Sequence, residues 1–396
     1  MRTQAADLIV DIERCEALQQ PLWEDHGHVR RVRAILAARP PLVVAEQVDA
    51  LRELLAQVAA GEALVVQAGD CSEDPADNTA AIVARKAAVL DLLAGTLKLA
   101  TQQPVVRVGR IAGQFAKPRS KPYEQVGAVE LPAYRGHMVN DPDPELGRQA
   151  DPLRILAGYM AAGGMMEHLG WRGAGRPGPR IEAPVWTSHE ALLLDYELPM
   201  IRTLADGRRW LSSTHWPWVG DRTRQLDGAH VALLAAISNP VACKVGPSLA
   251  ADELVRLCER LDPHRTPGRL TLIARMGAGT VLERLPSLLA AVRRAGHPVV
   301  WLCDPMHGNT IATPSGFKTR LVGTIAQEVR EFRQAVDAAG AVAGGLHLET
   351  TPDDVTECAD DASALGSVGE RYTTLCDPRL TPWQAVAAVL AWTAGA

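Results

Sequence analysis

Eight short apolar segments recur along the chain, and almost every one ends in charged or hydrogen-bonding residues. Most are continuous runs of Val, Ile and Leu rather than alternations of apolar and polar residues, which is typical of strands buried on both faces of a parallel sheet. The segments cover residues 62–70, 104–110, 183–190, 210–216, 240–244, 270–276, 298–304 and 345–349. This pattern predicts a fold built around one parallel sheet.

Helical spacing of apolar residues recurs between several of these segments. It predicts helices over 77–99, 251–260 and 318–339, the last one closed by Gly340. Strand and helix alternating eight times predict an α/β protein, a (β/α)8 TIM barrel. A doubly wound open sheet is the alternative, but it would bind its ligand at one switch point with fewer strands contributing. The polar ends of nearly all segments therefore favour the barrel.

Residues 1–60 precede the first predicted strand and are interpreted as helices with a proline-marked loop over 38–42. We expect them to form an N-terminal extension that packs on the barrel of residues 61–396. The Gly-, Pro- and Arg-rich stretch 170–184 is predicted to be a surface loop.

Composition excludes several classes of protein. The formal net charge of −5 argues against a non-specific binder of nucleic acid or of anionic membranes. The N-terminus lacks the pattern of a signal peptide, and no apolar run approaches the ~18 residues of a membrane helix. The seven cysteines are scattered without a CxxC pair, so a disulfide framework is not expected. We expect a cytoplasmic enzyme.

Four residues that follow strand-like runs offer a candidate divalent metal site: Cys71, His307, Glu349 and Asp377. Thiolate, imidazole and carboxylate together suit borderline ions such as Mn²⁺, Fe²⁺, Co²⁺ or Zn²⁺. Their spacing matches no short metal motif, and each has another interpretation. The cysteine could be a buried small hydrophobe, the histidine a structural or exposed loop residue, and Asp377 a helix cap. An unpaired carboxylate at the position of Glu349 would be costly to bury, so it needs a metal or an arginine.

A second group of candidates is basic. Lys244 and Arg275 emerge directly from apolar strands, which surface residues seldom do, and the segments around Arg110 and Arg222 add further cations. Arginine binds carboxylate or phosphate through two parallel hydrogen bonds, while lysine acts as a point charge. The sequence has no phosphate-binding loop of the GxxxxGK[ST] type and no dinucleotide fingerprint. The pattern predicts a pocket for a small polyanion.

With these motifs the sequence resembles the type II family of 3-deoxy-D-arabino-heptulosonate 7-phosphate (DAHP) synthases. The resemblance runs from about Arg14 to the C-terminus. It rests on QAGDCSED, RVGRIAGQFAKPRS, YRGHMVN, SHEALLLDYE, GDRTRQLDGAH, NPVACKVGP, RLTLIARMG, CDPMHGNT, GLHLETTPDDVTEC and CDPRL.

The resemblance implies a (β/α)8 barrel that condenses phosphoenolpyruvate with erythrose 4-phosphate and releases phosphate, the first step of the shikimate pathway. It implies a divalent metal such as Mn²⁺ or Co²⁺, bound by the four candidate ligands named above. The phosphoenolpyruvate contacts then fall on Arg110, Arg222, Lys244 and Arg275. The erythrose 4-phosphate contacts fall on Lys117, Arg119 and Ser120, with Lys318 as a further candidate.

Two departures from the family pattern change these expectations. Asp221 stands where the family has a glutamate, and the shorter acid would shift a substrate-orienting contact. The region after Tyr159 is brief, whereas longer members carry helices there that bind aromatic amino acids. The chain therefore resembles the compact, feedback-insensitive forms of secondary metabolism, such as phenazine biosynthesis. We also expect a homo-oligomer, and a chorismate mutase is a candidate partner.

The residue that handles the attacking water is left open among Glu190, His215 and Asp304. Three other functions also stay open at this point. They are the same condensation with another aldose phosphate, such as an amino-sugar analogue, a non-catalytic barrel tethered to a chorismate mutase, and a metal-dependent aldolase that uses pyruvate.

Overall fold

The computed structural model describes residues 2–172 and 184–394. Its strands are β1 (Leu64–Gly69), β2 (Val105–Arg110), β3 (Tyr123–Val126), β4 (Val129–Pro132), β5 (Trp186–Glu190), β6 (Ile201–Thr203), β7 (Arg209–Leu211), β8 (Trp216–Val219), β9 (Val241–Val245), β10 (Leu270–Ala274), β11 (Val300–Cys303), β12 (Ile311–Ala312), β13 (Lys318–Thr319) and β14 (Ala343–Glu349). Its α-helices are α1 (Arg2–Glu13), α2 (His26–Ala37), α3 (Ala45–Ala59), α4 (Ala80–Thr101), α5 (Leu153–His168), α6 (Leu194–Glu197), α7 (Ala229–Ala236), α8 (Ala251–Leu261), α9 (Thr280–Arg294), α10 (Val322–Ala338) and α11 (Pro382–Leu390).

Eight of these strands close into a barrel in the order β1, β14, β11, β10, β9, β8, β5 and β2. Every neighbouring pair is parallel, and helices lie between the strands along the chain. The predicted (β/α)8 TIM barrel is therefore confirmed. Because all the strands run the same way, their carboxyl ends meet at one mouth.

Helix α3 closes the other end of the barrel. Its residues Leu51, Leu55 and Val58 share a buried cluster with strand residues that include Val65 and Ile273. The outer faces of the strands belong to a separate, larger cluster that they form with the surrounding helices. The barrel thus has a closed apolar floor below its polar mouth.

The predicted strand over 210–216 is wrong. Residues Arg209–Leu211 pair antiparallel with Ile201–Thr203 outside the barrel, and the barrel strand is Trp216–Val219. The error has a physical origin. Proline is rare inside sheets because it cannot donate a hydrogen bond, yet Pro217 lies within this strand. The other seven predicted segments overlap the remaining barrel strands.

The predicted helix over 318–339 is too long at its start, since α10 begins at Val322. Lys318 and Thr319 instead form a short antiparallel pair with Ile311 and Ala312. The prediction over 251–260 is confirmed by α8, and that over 77–99 overlaps α4, which Thr79 caps through its side chain. Most of the predicted loop 170–184 lies outside the described residues. None of the helices that the structure describes is both long and apolar enough to cross a membrane.

Truncating the floor of the barrel is expected to destabilise the protein. Leu55 is fully buried, so Leu55→Ala should lower the free energy of unfolding by about 2–5 kcal/mol. Gln57→Ala, at an exposed position of the same helix, is the control and should change it little. Urea unfolding followed by circular dichroism measures both variants. Equal midpoints for the two would contradict the assignment of α3 to the core.

Candidate metal and anion site

A pocket lined mainly by charged side chains opens at the carboxyl ends of the barrel strands. It is lined by Arg110, Lys117, Pro118, Glu190, Trp218, Gly220, Asp221, Arg222, Lys244, Arg275, His307, His347 and Asp377. Most of these residues lie on the barrel strands or directly after them, so the mouth combines contributions from distant parts of the chain.

The four predicted metal ligands lie together at this mouth. One ligand atom from each of Cys71, Glu349 and Asp377 lies within 4.8 Å of the others. His307 joins them, since its Nε2 atom is 3.2 Å from Oε1 of Glu349. The structure thus brings a thiol, an imidazole and two carboxyl groups into one cluster, which is a donor set suited to a borderline divalent ion.

Asp304 fixes the orientation of His307. Its carboxylate oxygens lie 2.8 and 3.0 Å from Nδ1 of the imidazole. This contact turns Nε2 towards Glu349 and the cluster, which is the orientation that carboxylates impose on metal-binding histidines. Asp304 is fully buried and also forms an ion pair with Lys244. Asp304, one of the predicted catalytic residues, thus contacts the side of His307 that faces away from Glu349.

Glu349 is the most heavily partnered carboxylate of the cluster. Nη2 of Arg110 lies 3.1 Å from Oε1, and Nη1 of Arg320 lies 2.9 Å from Oε2. Burial alone would raise the pKa of Glu349, but His307, Arg320 and Arg110 outweigh it and hold the pKa well below its usual range. Sequence reasoning missed Arg320 because it lay inside the region interpreted as a helix.

Lys117 lies against the cluster, with Nζ 2.7 Å from Sγ of Cys71. Burial opposes its charge, but the acidic groups around it raise the pKa of the ammonium. Burial also raises the pKa of the Cys71 thiol, and the neighbouring carboxylate Glu349 adds to the rise. A cysteine binds metal as the thiolate, so metal binding here would release a proton.

The predicted phosphoenolpyruvate contacts all line the pocket. Arg110 and Lys244 are almost completely buried in its wall, whereas Arg222 is exposed at its rim. Arg275 is held by Asp221, whose Oδ2 accepts a hydrogen bond of 2.8 Å from Nη1. Asp221 therefore orients one of the arginines.

The predicted aldose-phosphate residues differ in how they meet the pocket. Lys117 lines the pocket, and Oγ of Ser120 accepts a hydrogen bond of 2.8 Å from Nη2 of Arg222. Arg119 is not among the pocket-lining residues, because its guanidinium forms an ion pair with Glu124. Lys318 reaches the cluster from outside, with Nζ 2.9 Å from Oδ1 of Asp377.

Glu190 lies at the mouth of the barrel, whereas His215 lies at its floor end. Glu190 lines the pocket, and burial raises its pKa. Its Oε1 atom is buried without a hydrogen-bond partner among the described residues. Gly220 leaves room for it, since a Cβ there would lie 2.2 Å from Oε1. His215 precedes β8 and contacts Thr187 near the start of β5, at the floor end, so it is no longer a candidate at the mouth.

His347 is a pocket residue that sequence reasoning missed. Its Nδ1 lies 2.7 Å from Oε1 of Gln67, and its Nε2 lies 3.0 Å from Nη1 of Arg110. Burial and the cations Lys244 and Arg110 hold its pKa well below the usual value, so the ring is neutral. The sequence could have indicated that His347 faces the pocket, because alternate residues of a strand share a face and His347 precedes Glu349 by two positions.

Comparison with known proteins places the chain in a family. Residues 10–173 and 165–392 match the model of the class-II DAHP synthetase family. The chain belongs to this family. A relative from Pseudomonas fluorescens, named "Probable phospho-2-dehydro-3-deoxyheptonate aldolase", is 60% identical over 98% of this chain and 97% of its own length.

Two further relatives carry the name phospho-2-dehydro-3-deoxyheptonate aldolase. The protein from Mycolicibacterium smegmatis is 38% identical over 93% of this chain and 90% of its own length. That from Streptomyces coelicolor is 39% identical over 93% of each chain. A solved structure of the Francisella tularensis aldolase of the same name has a TM-score of 0.54 and 14% identity, covering 91% of this chain and 96% of that one. This last similarity concerns the fold alone.

The charge of Lys244 is expected to make anion binding depend on pH. Burial lowers its pKa to about 8, so the ammonium is present below this pH and is lost as the pH rises through it. Sulfate keeps its charge between pH 7 and 9.5, and over this range its affinity should fall by at least about tenfold, since a hydrogen bond to a charged group contributes about 1.5–3 kcal/mol. Calorimetry measures the dissociation constant.

Lys244→Arg is the matched control, because a guanidinium stays charged throughout this range. Its sulfate affinity should vary less with pH than that of the unmodified protein. Identical pH profiles for the two proteins would contradict the role of the Lys244 charge.

Proposed function

We propose that this chain is a metal-dependent DAHP synthase, which condenses phosphoenolpyruvate with D-erythrose 4-phosphate and releases phosphate as the first step of the shikimate pathway. The observation that carries the proposal is that Arg110, Lys244 and Arg275 line the same pocket as His307 and Asp377 of the candidate metal cluster. Membership of the class-II family and the 60% identical relative support it.

The metal is proposed to bind Cys71, His307, Glu349 and Asp377, with Mn²⁺ or Co²⁺ as the expected ion. A bound divalent ion supplies Lewis acidity that polarises a carbonyl oxygen. The donor set fits such an ion, and Asp304 already holds the imidazole with Nε2 facing the other candidate ligands.

The buried cations are proposed to hold phosphoenolpyruvate. Arg110, Lys244 and Arg275, with Arg222 at the rim, offer contacts for a phosphate and a carboxylate. They also offset the repulsion between two phosphorylated substrates and align C3 of the enol with the aldehyde carbon that it attacks. Lys117, Arg119 and Ser120 are proposed to bind the phosphate of the aldose, with Arg222 linking the two groups of contacts through Ser120.

Glu190 is proposed to handle the water that adds to C2 before phosphate leaves. Its Oε1, which has no hydrogen-bond partner among the described residues, can accept a proton from that water, and the raised pKa of the carboxyl group favours holding the proton. Asp304 is already engaged by Lys244 and His307, and His215 lies at the opposite end of the barrel.

A phosphate-release assay tests the proposed reaction. With Mn²⁺ or Co²⁺ present, phosphate should be released only when phosphoenolpyruvate and erythrose 4-phosphate are both supplied. Comparing turnover with other aldose phosphates, including an amino-sugar analogue, identifies the preferred acceptor. Formation of a condensation product from pyruvate in place of phosphoenolpyruvate, or no phosphate release with the proposed pair, would contradict the proposal.

Removing the metal should abolish this activity. Chelation of the metal, or Cys71→Ser, should reduce turnover by about 10–100-fold or more while the fold is kept. Loss of a group that merely supports a metal ligand already lowers metal affinity or activity by that factor. Added Mn²⁺ should restore the turnover of the chelated enzyme. Cys15→Ser, at a partly exposed position outside the barrel, is the matched control. Full turnover in the chelated enzyme would refute the metal role.

Aromatic amino acids are not expected to inhibit the enzyme. The alignment with the M. smegmatis relative spans 423 positions although it covers 93% of this chain, so that relative contains segments that this one lacks. Tryptophan, tyrosine and phenylalanine at physiological levels should leave phosphate release unchanged. Inhibition by any of them would contradict the prediction from the short region after Tyr159.

The expected homo-oligomer and the chorismate mutase partner stay predictions.

A further inference from the structure

Arg379 is a largely buried arginine that follows the Asp377 turn and is not among the residues lining the pocket. Its guanidinium connects two segments that are far apart in sequence. Nη1 lies 2.7 Å from Oδ1 of Asp70, while Nη2 and Nε lie 2.7 and 3.0 Å from the two carboxylate oxygens of Glu357. One side chain thus joins the end of β1 to the C-terminal loops.

Glu357 in turn holds the loop that carries Asp377. It is fully buried, and its carboxylate accepts backbone N–H hydrogen bonds from Thr373 at 3.1 Å, Thr374 at 2.8 Å and Arg379 at 2.8 Å. These donors lie on both sides of Asp377 in sequence. The carboxylate therefore fixes the two ends of this loop.

Asp70 holds the other segment and directly precedes Cys71. Its Oδ1 accepts a hydrogen bond from Nη1 of Arg379, and its Oδ2 lies 2.7 Å from Nζ of the buried Lys86. Between the two candidate ligands themselves the contact is weak, with Sγ of Cys71 at 3.5 Å from Oδ2 of Asp377. The bridge of Asp70, Arg379 and Glu357 supplies the stronger connection between their backbones.

We propose that Arg379 is a positioning residue that sets the separation of Cys71 and Asp377, and so the metal affinity of the site. The inference rests on the metal site of the proposed function. An arginine is suited to the role because its planar fork reaches both carboxylates at once, whereas a lysine ammonium acts as a single point charge. Arg379→Lys therefore keeps the charge and removes the bridge.

Metal affinity measured without substrates tests this role. The Mn²⁺ dissociation constant of Arg379→Lys should be about 10–100-fold weaker than that of the unmodified protein, as is typical for groups that orient metal ligands. The thiolate-to-Co²⁺ absorption band should also weaken or shift at saturating Co²⁺, because it reports the geometry of Cys71 at the metal. Calorimetry and ultraviolet absorption measure the two effects.

Two lysine replacements separate positioning from general stability. Arg269 is buried and hydrogen-bonded to backbone carbonyls, including that of Leu261, close to the start of β10 at the floor end. Arg269→Lys should lower the thermal midpoint but keep the Mn²⁺ affinity and the Co²⁺ band. Arg371 pairs with Asp354 on the surface, so Arg371→Lys should change neither property.

A folded Arg379→Lys protein with unchanged Mn²⁺ affinity and an unchanged Co²⁺ band would overturn the proposal. So would an equal loss of affinity in Arg269→Lys, or an unmodified protein that binds neither ion. If Arg379→Lys does not fold, Asp70→Asn replaces it, since this variant keeps the side-chain shape and removes the charge that faces Arg379. It should then weaken Mn²⁺ binding, and unchanged binding would again count against the bridge.

These measurements are independent of the condensation reaction. Weakened metal binding in a protein that releases no phosphate would support the bridge and contradict the proposed function. Normal phosphate release by the unmodified protein, together with unchanged metal binding in Arg379→Lys, would support the proposed function and contradict the bridge.

Discussion

The site depends on one buried carboxylate, that of Glu349. A charge in the interior is tolerated only when good partners surround it, and here Arg110, Arg320 and His307 all contact it. These partners come from the end of β2, from the segment after β13 and from the loop after β11. Their convergence depends on closure of the barrel, because in an open sheet that kept the chain order of the strands β1 and β14 would lie at opposite edges.

This dependence couples the candidate metal cluster to the anion pocket. Arg110 contacts Glu349 and also lines the pocket, while Lys244 contacts Asp304, which orients His307. A change in the position of either cation would therefore disturb a ligand of the cluster. The electrostatics of the mouth behave as one unit and not as two adjacent sites.

The barrel and most of the mouth could be predicted from the sequence because both follow local rules. Continuous apolar runs mark the buried strands, and Lys244, Arg275, Asp304 and Glu349 stand out where such runs end. His215 was misplaced because the apolar run around Pro217 was not recognised as a strand. Glu357 and Arg379 were missed because their importance depends on partners that lie elsewhere in the sequence. Only the folded chain shows which charge each of them meets.

The closed floor formed by α3 has a kinetic consequence. A well with a single opening imposes an order of entry on two ligands that occupy different depths. Arg110 and Lys244 are buried in its wall, whereas Ser120, a proposed contact of the aldose phosphate, is exposed at its rim. If the inner pair binds one substrate and Ser120 the other, as proposed above, the inner substrate arrives first and leaves last.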